Sequence, residues 1–183
     1  MRRSAAAVVS VVWFGITAGA GAVWLPWRIT GWKVGYDSGT GRAAQVLGVA
    51  LIVAGLVPVV WTFAQFVRAR GTPVPGALTE RLVVAGFNRY VRNPIYLGVL
   101  VIILGEALLL GQLSLIAYAA LVWWLTAVFV RRHEEPALAR RFGASYEAYR
   151  HAVPAWRPRW HGWSPDDPDG PVTDAPRRER PSR

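Results

Sequence analysis

Residues 95–130 read IYLGVLVIILGEALLLGQLSLIAYAALVWWLTAVFV, and this stretch decides the fold. Its two halves, 95–110 and 113–130, are apolar except for Glu106 and a few hydroxyl groups, and Gly111-Gln112 separates them. A bilayer core of about 30 Å takes roughly 20 apolar residues of helix, so each half is a candidate span, the first a short one. The break between them is too short to do anything but reverse the chain. The halves therefore form an αα-hairpin, and at about 1.5 Å rise per residue their outer ends finish at the same face. That face gathers Arg89-Tyr90-Val91-Arg92-Asn93-Pro94-Ile95-Tyr96 from before the first arm and Arg131-Arg132-His133-Glu134-Glu135 from after the second.

Working outward, residues 44–66 read as another span, with Pro58 as a kink that a membrane helix tolerates. Residues 5–25 read as the first, stopped by Pro26. Behind Met1-Arg2-Arg3 this run is longer than a signal-peptide core of roughly 7–15 residues, so a retained helix is expected rather than a cleaved leader. The expected fold is an all-α polytopic membrane protein with about four transmembrane helices, a C-terminal helical hairpin and a cytoplasmic amphipathic helix. Of the 183 residues, 53% are hydrophobic and 17% charged, which is more apolar than an average soluble domain. Cysteine is absent, which excludes disulfides, thiolate nucleophiles and cysteine-ligated metals.

The net charge of +10 comes from arginines that flank apolar blocks, where they orient the chain and meet anionic head groups, so no nucleic-acid partner is expected. The loop 67–94 and the segment after residue 130 hold most of these arginines. With four helices they share a side with Arg2 and Arg3, which places both termini in the cytoplasm. Trp24, Trp27 and Trp32 in the first loop are expected as interfacial anchors. The chain divides into an N-terminal transmembrane pair (1–75), a core of hairpin and cytoplasmic helix (76–160), and a proline-rich, charged tail (161–183) too poor in apolar residues to order itself.

Pro136 follows the glutamate pair and fits a first helical position, so a new helix is expected to open there. It would carry Leu138, Phe142, Tyr146 and Tyr149 on one stripe, cover the mouth of the hairpin, and end at Val153-Pro154. The same pattern also suits an interfacial helix that only anchors the tail. Arg92 and Arg131 have a plain reading as arginines that snorkel to the surface. Glu134 and Glu135 are harder to dismiss, because adjacent carboxylates at a membrane surface repel each other and call for cations or hydrogen-bond donors. His133 stands beside them, but no second histidine is spaced to help it, and no metal site is expected. Glu106, within a span, is expected to face the protein interior or another helix.

The run Gly86-Phe87-Asn88-Arg89-Tyr90-Val91-Arg92-Asn93-Pro94-Ile95-Tyr96-Leu97-Gly98 is followed by Glu134-Glu135, by Phe142-Gly143, by Tyr146 and Tyr149, and by Val153-Pro154. In order and spacing this set resembles the isoprenylcysteine carboxyl methyltransferase and phospholipid methyltransferase family, over roughly residues 78–158. The resemblance implies S-adenosylmethionine bound at the cytosolic ends of the last helices and a lipophilic acceptor arriving from the bilayer. It implies one wall of the cofactor site from Arg92, Asn93, Pro94 and Tyr96. Glu134 and Glu135 would hold the cofactor's amino or ribose groups, and Tyr146, Tyr149 and Arg150 would help close the site. Asn93 stands where many relatives have histidine, so a role that needs a titrating imidazole does not carry over, although Asn still donates and accepts hydrogen bonds.

Methyl transfer from a sulfonium is an in-line displacement governed by placement and desolvation, and the expected catalytic residues are Arg92, Glu135 and Tyr96. A carboxylate acceptor needs no base. A protonated amine needs one, for which Glu135 or Tyr96 is the candidate. The alternatives are an NADPH-dependent sterol-reductase-like enzyme, whose relatives have more spans than this chain offers, and a non-catalytic membrane scaffold. The bias toward Arg, Ala, Val and Gly over Lys and Ile points to a bacterial plasma membrane.

Overall fold

The structure is a computed structural model that describes residues 19–36, 41–68 and 84–164. Most of the expected first span, most of the loop after the second, and the tail from 165 lie outside the described residues. Among those described there is no strand. A wide π-helical turn, Ala20–Trp24, leads into α1 (Leu25–Thr30). Then come α2 (Arg42–Arg68), a 3₁₀ turn at Gly86–Arg89, and the hairpin α3 (Pro94–Leu110) and α4 (Leu113–Phe129). A second π turn, Val130–Glu134, runs on into α5 (Glu135–Phe142), and α6 (Ala144–Ala152) completes the helices.

Two helical stretches, Arg42–Thr62 and Leu113–Phe142, are long and apolar enough to cross a membrane. In the most apolar 18 residues of each, only 11% of the first and 17% of the second are buried, whereas a helix at the core of a soluble protein would be mostly covered. These outward apolar surfaces are those of an integral membrane protein. The central helix is α3, shorter and buried along its length at Gly98, Leu100, Ile102, Ile103, Gly105 and Ala107.

The most extensive helix packing joins α2 to α3 rather than the two arms of the hairpin. Its seam is made of glycines, a pattern not picked out from the sequence. Gly48 faces Gly105 and Gly55 faces Gly98, so the helices run antiparallel with their backbones in contact. A Cβ on Gly55 would lie 2.6 Å from the Gly98 carbonyl oxygen, and one on Gly48 would lie 2.7 Å from that of Gly105. Lipid gives no hydrophobic drive for helices to associate, so close approach through small residues supplies the van der Waals contact instead. Pro58 lies inside α2, as expected, with its ring against the Gly98 position.

At the hairpin's break Gly111 takes the left-handed conformation (φ 65°), and its N–H returns to the Ala107 carbonyl. The segment 33–36 seals this end. Gly35 N–H donates to the Leu110 carbonyl (2.8 Å), the Tyr36 hydroxyl to that of Leu108 (2.7 Å), and Gln112 Nε2 to that of Lys33 (3.0 Å). The buried core shared by α3 and α4 lies near this break: Ile103 and Ala107 against Leu115 and Ala119.

Two boundaries differ from the sequence reading. Pro136 does not end the spanning helix. Backbone angles stay helical from Phe129 to Glu135, and the Glu135 N–H bonds the Val130 carbonyl across a widened turn. The wide turn sits just ahead of the proline, where a ring with no N–H would otherwise crowd the previous turn. The interruption falls at Gly143 instead, whose φ of 53° and ψ of −130° are closed to residues with a Cβ, so the expected cytoplasmic helix is two helices. Their apolar stripe still converges, since Tyr146, Tyr149, Val153 and Trp163 form a buried cluster flanked by Leu138 and Phe142. Trp163 also carries packing past 161, where the tail was expected to begin, because its indole packs at a tilt against the Tyr149 ring, centroids 5.6 Å apart.

Candidate functional site

The loop ahead of α3 is built from both sides. Pro94 takes a first-turn position of α3, and Asn93 precedes it in a non-helical conformation. The segment 153–163 then runs back along the loop as a strap. Arg92 N–H donates to the Pro154 carbonyl (3.0 Å), Arg159 N–H to that of Tyr90 (2.9 Å), and Trp163 N–H to that of Arg89 (2.9 Å). Asn93 is buried, and its Nδ2 donates to the Ala155 carbonyl at 3.2 Å. Arg89 Nε reaches the Trp163 carbonyl (2.8 Å), and the Tyr149 hydroxyl donates to the Asn88 carbonyl (2.8 Å). Neither the strap nor its bonds were read from the sequence. The only trace there is the Val153-Pro154 pair and three nearby tryptophans.

With the loop held, Arg92 points at the glutamates. Its Nη1 lies 2.7 Å from Glu135 Oε1, with side chains 13% and 14% exposed, and 3.4 Å from the Tyr146 hydroxyl. Its Nε is buried and has no hydrogen-bond partner among the described residues. Arg150 Nε approaches Glu135 Oε2 at 3.8 Å while its Nη1 reaches Glu147 at 3.6 Å. Glu135 therefore meets two guanidinium groups. Glu134 is placed differently. Its Oε2 accepts from the Tyr96 hydroxyl at 3.4 Å, and no arginine pairs with it among the described residues. Adjacent residues on a regular helix diverge, and the wide turn ending at Glu134 lies where the two side chains take up these neighbouring positions on the loop side.

Burial pushes both the Tyr146 and Tyr149 hydroxyls above the usual phenol value. For Tyr146 the Arg92 charge pulls the other way and Glu135 pushes with burial; for Tyr149 Arg92 again opposes. Both stay neutral at ordinary pH and act as hydrogen-bonding groups. Arg92, Asn93, Glu134, Glu135, Tyr146 and Tyr149 line one pocket, together with Leu138 of the expected stripe and Val130, which the sequence reading did not single out. Three expected residues do not line it: Pro94 is buried in the first turn of α3, Tyr96 reaches in only through Glu134, and Arg150 sits half-exposed at the rim. His133 is exposed and stacks on Phe129, away from the pocket. No group of three metal-ligating side chains occurs among the described residues. Glu106 lies near the far end of α3, with one oxygen buried and without a hydrogen-bond partner among the described residues.

Residues 43–145 match the family profile described as phospholipid methyltransferase. Over 78 residues the chain is 37% identical to the protein-S-isoprenylcysteine O-methyltransferase of Schizosaccharomyces pombe. That match takes in 42% of this chain and 33% of the yeast protein, so the chain matches about a third of its relative's length. No solved structure matches. The profile stops short of Tyr146, Tyr149 and the strap, and these join the site through the contacts above.

Proposed function

The chain belongs to the phospholipid methyltransferase family, and from that membership we propose that it is a membrane-embedded, S-adenosylmethionine-dependent methyltransferase acting on a lipophilic acceptor. The observation that carries this reading is the charge arrangement around Glu134 and Glu135. S-adenosylmethionine is cationic at sulfur and ammonium and anionic at its carboxylate, so it calls for partners of both signs. Arg92 offers a buried Nε that no described residue pairs with, a donor suited to a carboxylate. Glu134, which among the described residues meets the Tyr96 phenol and no arginine, offers an acceptor to ammonium or ribose hydroxyl groups. When bound, the cofactor supplies an electrophilic methyl group, which moves to the acceptor's nucleophilic atom and leaves S-adenosylhomocysteine.

Within this reading Arg92, Asn93, Glu134, Glu135, Tyr146 and Tyr149 bind the cofactor, Pro94 sets the loop, and Arg150 closes the rim. Glu135, already met by Arg92 and Arg150, acts chiefly to hold Arg92 in place. A protonated amine acceptor would give its proton to Glu134, steadied by Tyr96, and a carboxylate acceptor would need no base. The pocket is partly open and small, with about 30 Å³ of accessible room, less than a nucleoside fills, so admitting the cofactor calls for α5 and α6 to part from the loop. The wide turn before α5 and the glycine after it are the places where that movement is easiest. The same reading sets the site at the cytoplasmic face of a bacterial plasma membrane, with α3 and the first apolar run completing about four spans.

The test is thermal unfolding of the purified protein in detergent. S-adenosylhomocysteine should raise the midpoint, and Glu134→Ala or Arg92→Ala should abolish the rise. Stabilisation by NADPH and not by S-adenosylhomocysteine would replace the proposal with a reductase.

A further inference from the structure

The strap carries three tryptophans, and the fold treats them differently. Trp163 is 6% exposed, and Trp156 packs against Tyr96 of α3 and Trp123 of α4, with ring centroids 6.5 and 6.4 Å away. Trp160, between them, is 96% exposed. Water is a poor setting for a bare indole, whereas the head-group level of a bilayer suits both its apolar ring and its N–H. Lipid is close by. Trp123 is 47% exposed on a helix long and apolar enough to span, so the strap passes beside the bilayer at Trp156. Four residues of chain reach at most about 14 Å from there to Trp160. The flanks of Trp160 are basic. Arg157 and His161 are exposed, Arg159 is partly buried, and residues 153–163 hold no acid. Arg159 is held by its main chain, whose N–H donates to the Tyr90 carbonyl at 2.9 Å, while its Nη1 has no hydrogen-bond partner among the described residues. Arg131 and Arg132, exposed on the wide turn after α4, add charge at the same open end of the hairpin.

We propose that residues 157–161 of the strap are a docking surface for anionic phospholipid head groups, with Trp160 seated at the interface and Arg157 and Arg159 on lipid phosphates. Charge complementarity selects this occupant. Two guanidinium groups with no acid between them match phosphate oxygens, and Arg159 Nη1 calls for an acceptor that the described residues do not supply. The strap also holds Arg92 and Asn93, so a docked strap is fixed between the leaflet and the arginine loop. Docking requires the open end of the hairpin to lie at a membrane surface and does not rest on the methyltransferase reading.

The cysteine-free sequence permits a direct test. His161→Cys, at an exposed position, is made in the full chain, labelled with a nitrobenzoxadiazole maleimide and placed in lipid nanodiscs. The discs are phosphatidylcholine alone or mixed with phosphatidylglycerol, and both carry a lipid spin-labelled at head-group depth that quenches the fluorophore. An arginine near an anionic surface is worth about fivefold in partitioning, so phosphatidylglycerol should raise the docked-to-free ratio of H161C roughly twentyfold. Arg157→Gln should cut that gain about fivefold, and Trp160→Ser should weaken quenching in both discs. Inorganic phosphate should do no more than sodium chloride of equal ionic strength. Equal quenching in the two discs overturns the proposal, as does failure of either variant to weaken it or specific release by inorganic phosphate. Arg157 and Trp160 are both exposed, so their variants leave the packing of the strap intact. No cofactor is present, so failure here is distinct from failure of S-adenosylhomocysteine to stabilise the wild type.

Discussion

Gly98→Ala tests whether the glycine seam between α2 and α3 positions the site. The added methyl would stand 2.6 Å from the Gly55 carbonyl oxygen and 2.7 Å from a Val59 methyl, against 3.4 Å or more for ordinary contact. Neither helix backbone can yield locally, so the axes must separate by roughly 0.8 Å, an overpacking typically costing about 1–3 kcal/mol. Alanine is the better helix former by about 1 kcal/mol, which offsets part of this. The net expectation is a loss of roughly 0–2 kcal/mol in reversible unfolding in mixed micelles. Ligand binding carries the sharper signature. Gly98 lies about one turn above Pro94, so displacing α3 shifts Arg92 against Glu135, whose 2.7 Å contact has little tolerance. S-adenosylhomocysteine should bind Gly98→Ala several-fold more weakly, by roughly 1 kcal/mol. Gly21→Ala, whose methyl would meet Tyr118 at an unstrained 3.9 Å, should leave binding alone and should not lower stability, alanine being the better helix former. If Gly98→Ala is as stable as wild type and binds the ligand equally well, the seam does not position the site.

Three further outcomes follow from the same contacts. Arg92→Ala leaves Glu135 with only the 3.8 Å approach of Arg150 and should destabilise by about 3 kcal/mol in denaturant titration, while adding Glu135→Ala should recover part of the loss. Gly143→Ala meets no neighbouring atom, so a fall of about 1–3 kcal/mol in the same titration would come from backbone strain alone, and no fall would disprove the positive-φ break. Tyr146 and Tyr149 hold their protons more tightly folded than unfolded. Above about pH 10, where unfolded phenols ionise, the unfolded state binds fewer protons and stability must drop as pH rises. Unfolding midpoints between pH 8 and pH 11 should fall less in a Tyr146→Phe, Tyr149→Phe double variant than in wild type.

The parts legible in sequence are those written in blocks. Two apolar runs around Gly111-Gln112 announce a hairpin, and the polar residues at its open end must meet, as Arg92 and Glu135 do. What escapes is written in pairs distant along the chain. Gly48, Gly55, Gly98 and Gly105 look like ordinary members of apolar runs until α2 is laid against α3. The phase of Glu134 and Glu135 depends on a widened turn that Pro136 hints at, although the proline reads more naturally as a helix start. Gly143 sits inside a convincing amphipathic stripe, and only its backbone angles show that the stripe belongs to two helices. Asn93, read as a cofactor ligand in place of histidine, lines the pocket but spends its amide on the strap.

The strap also bears on what a shortened chain can keep. Residues 154–163 leave the ribosome after every helix described here, yet they hold Arg92, Asn93, Tyr90 and Arg89. A released chain truncated at 152 therefore keeps every described helix and both glutamates, but its arginine loop has nothing to lie against. Competence at this site depends on a segment that follows the helices.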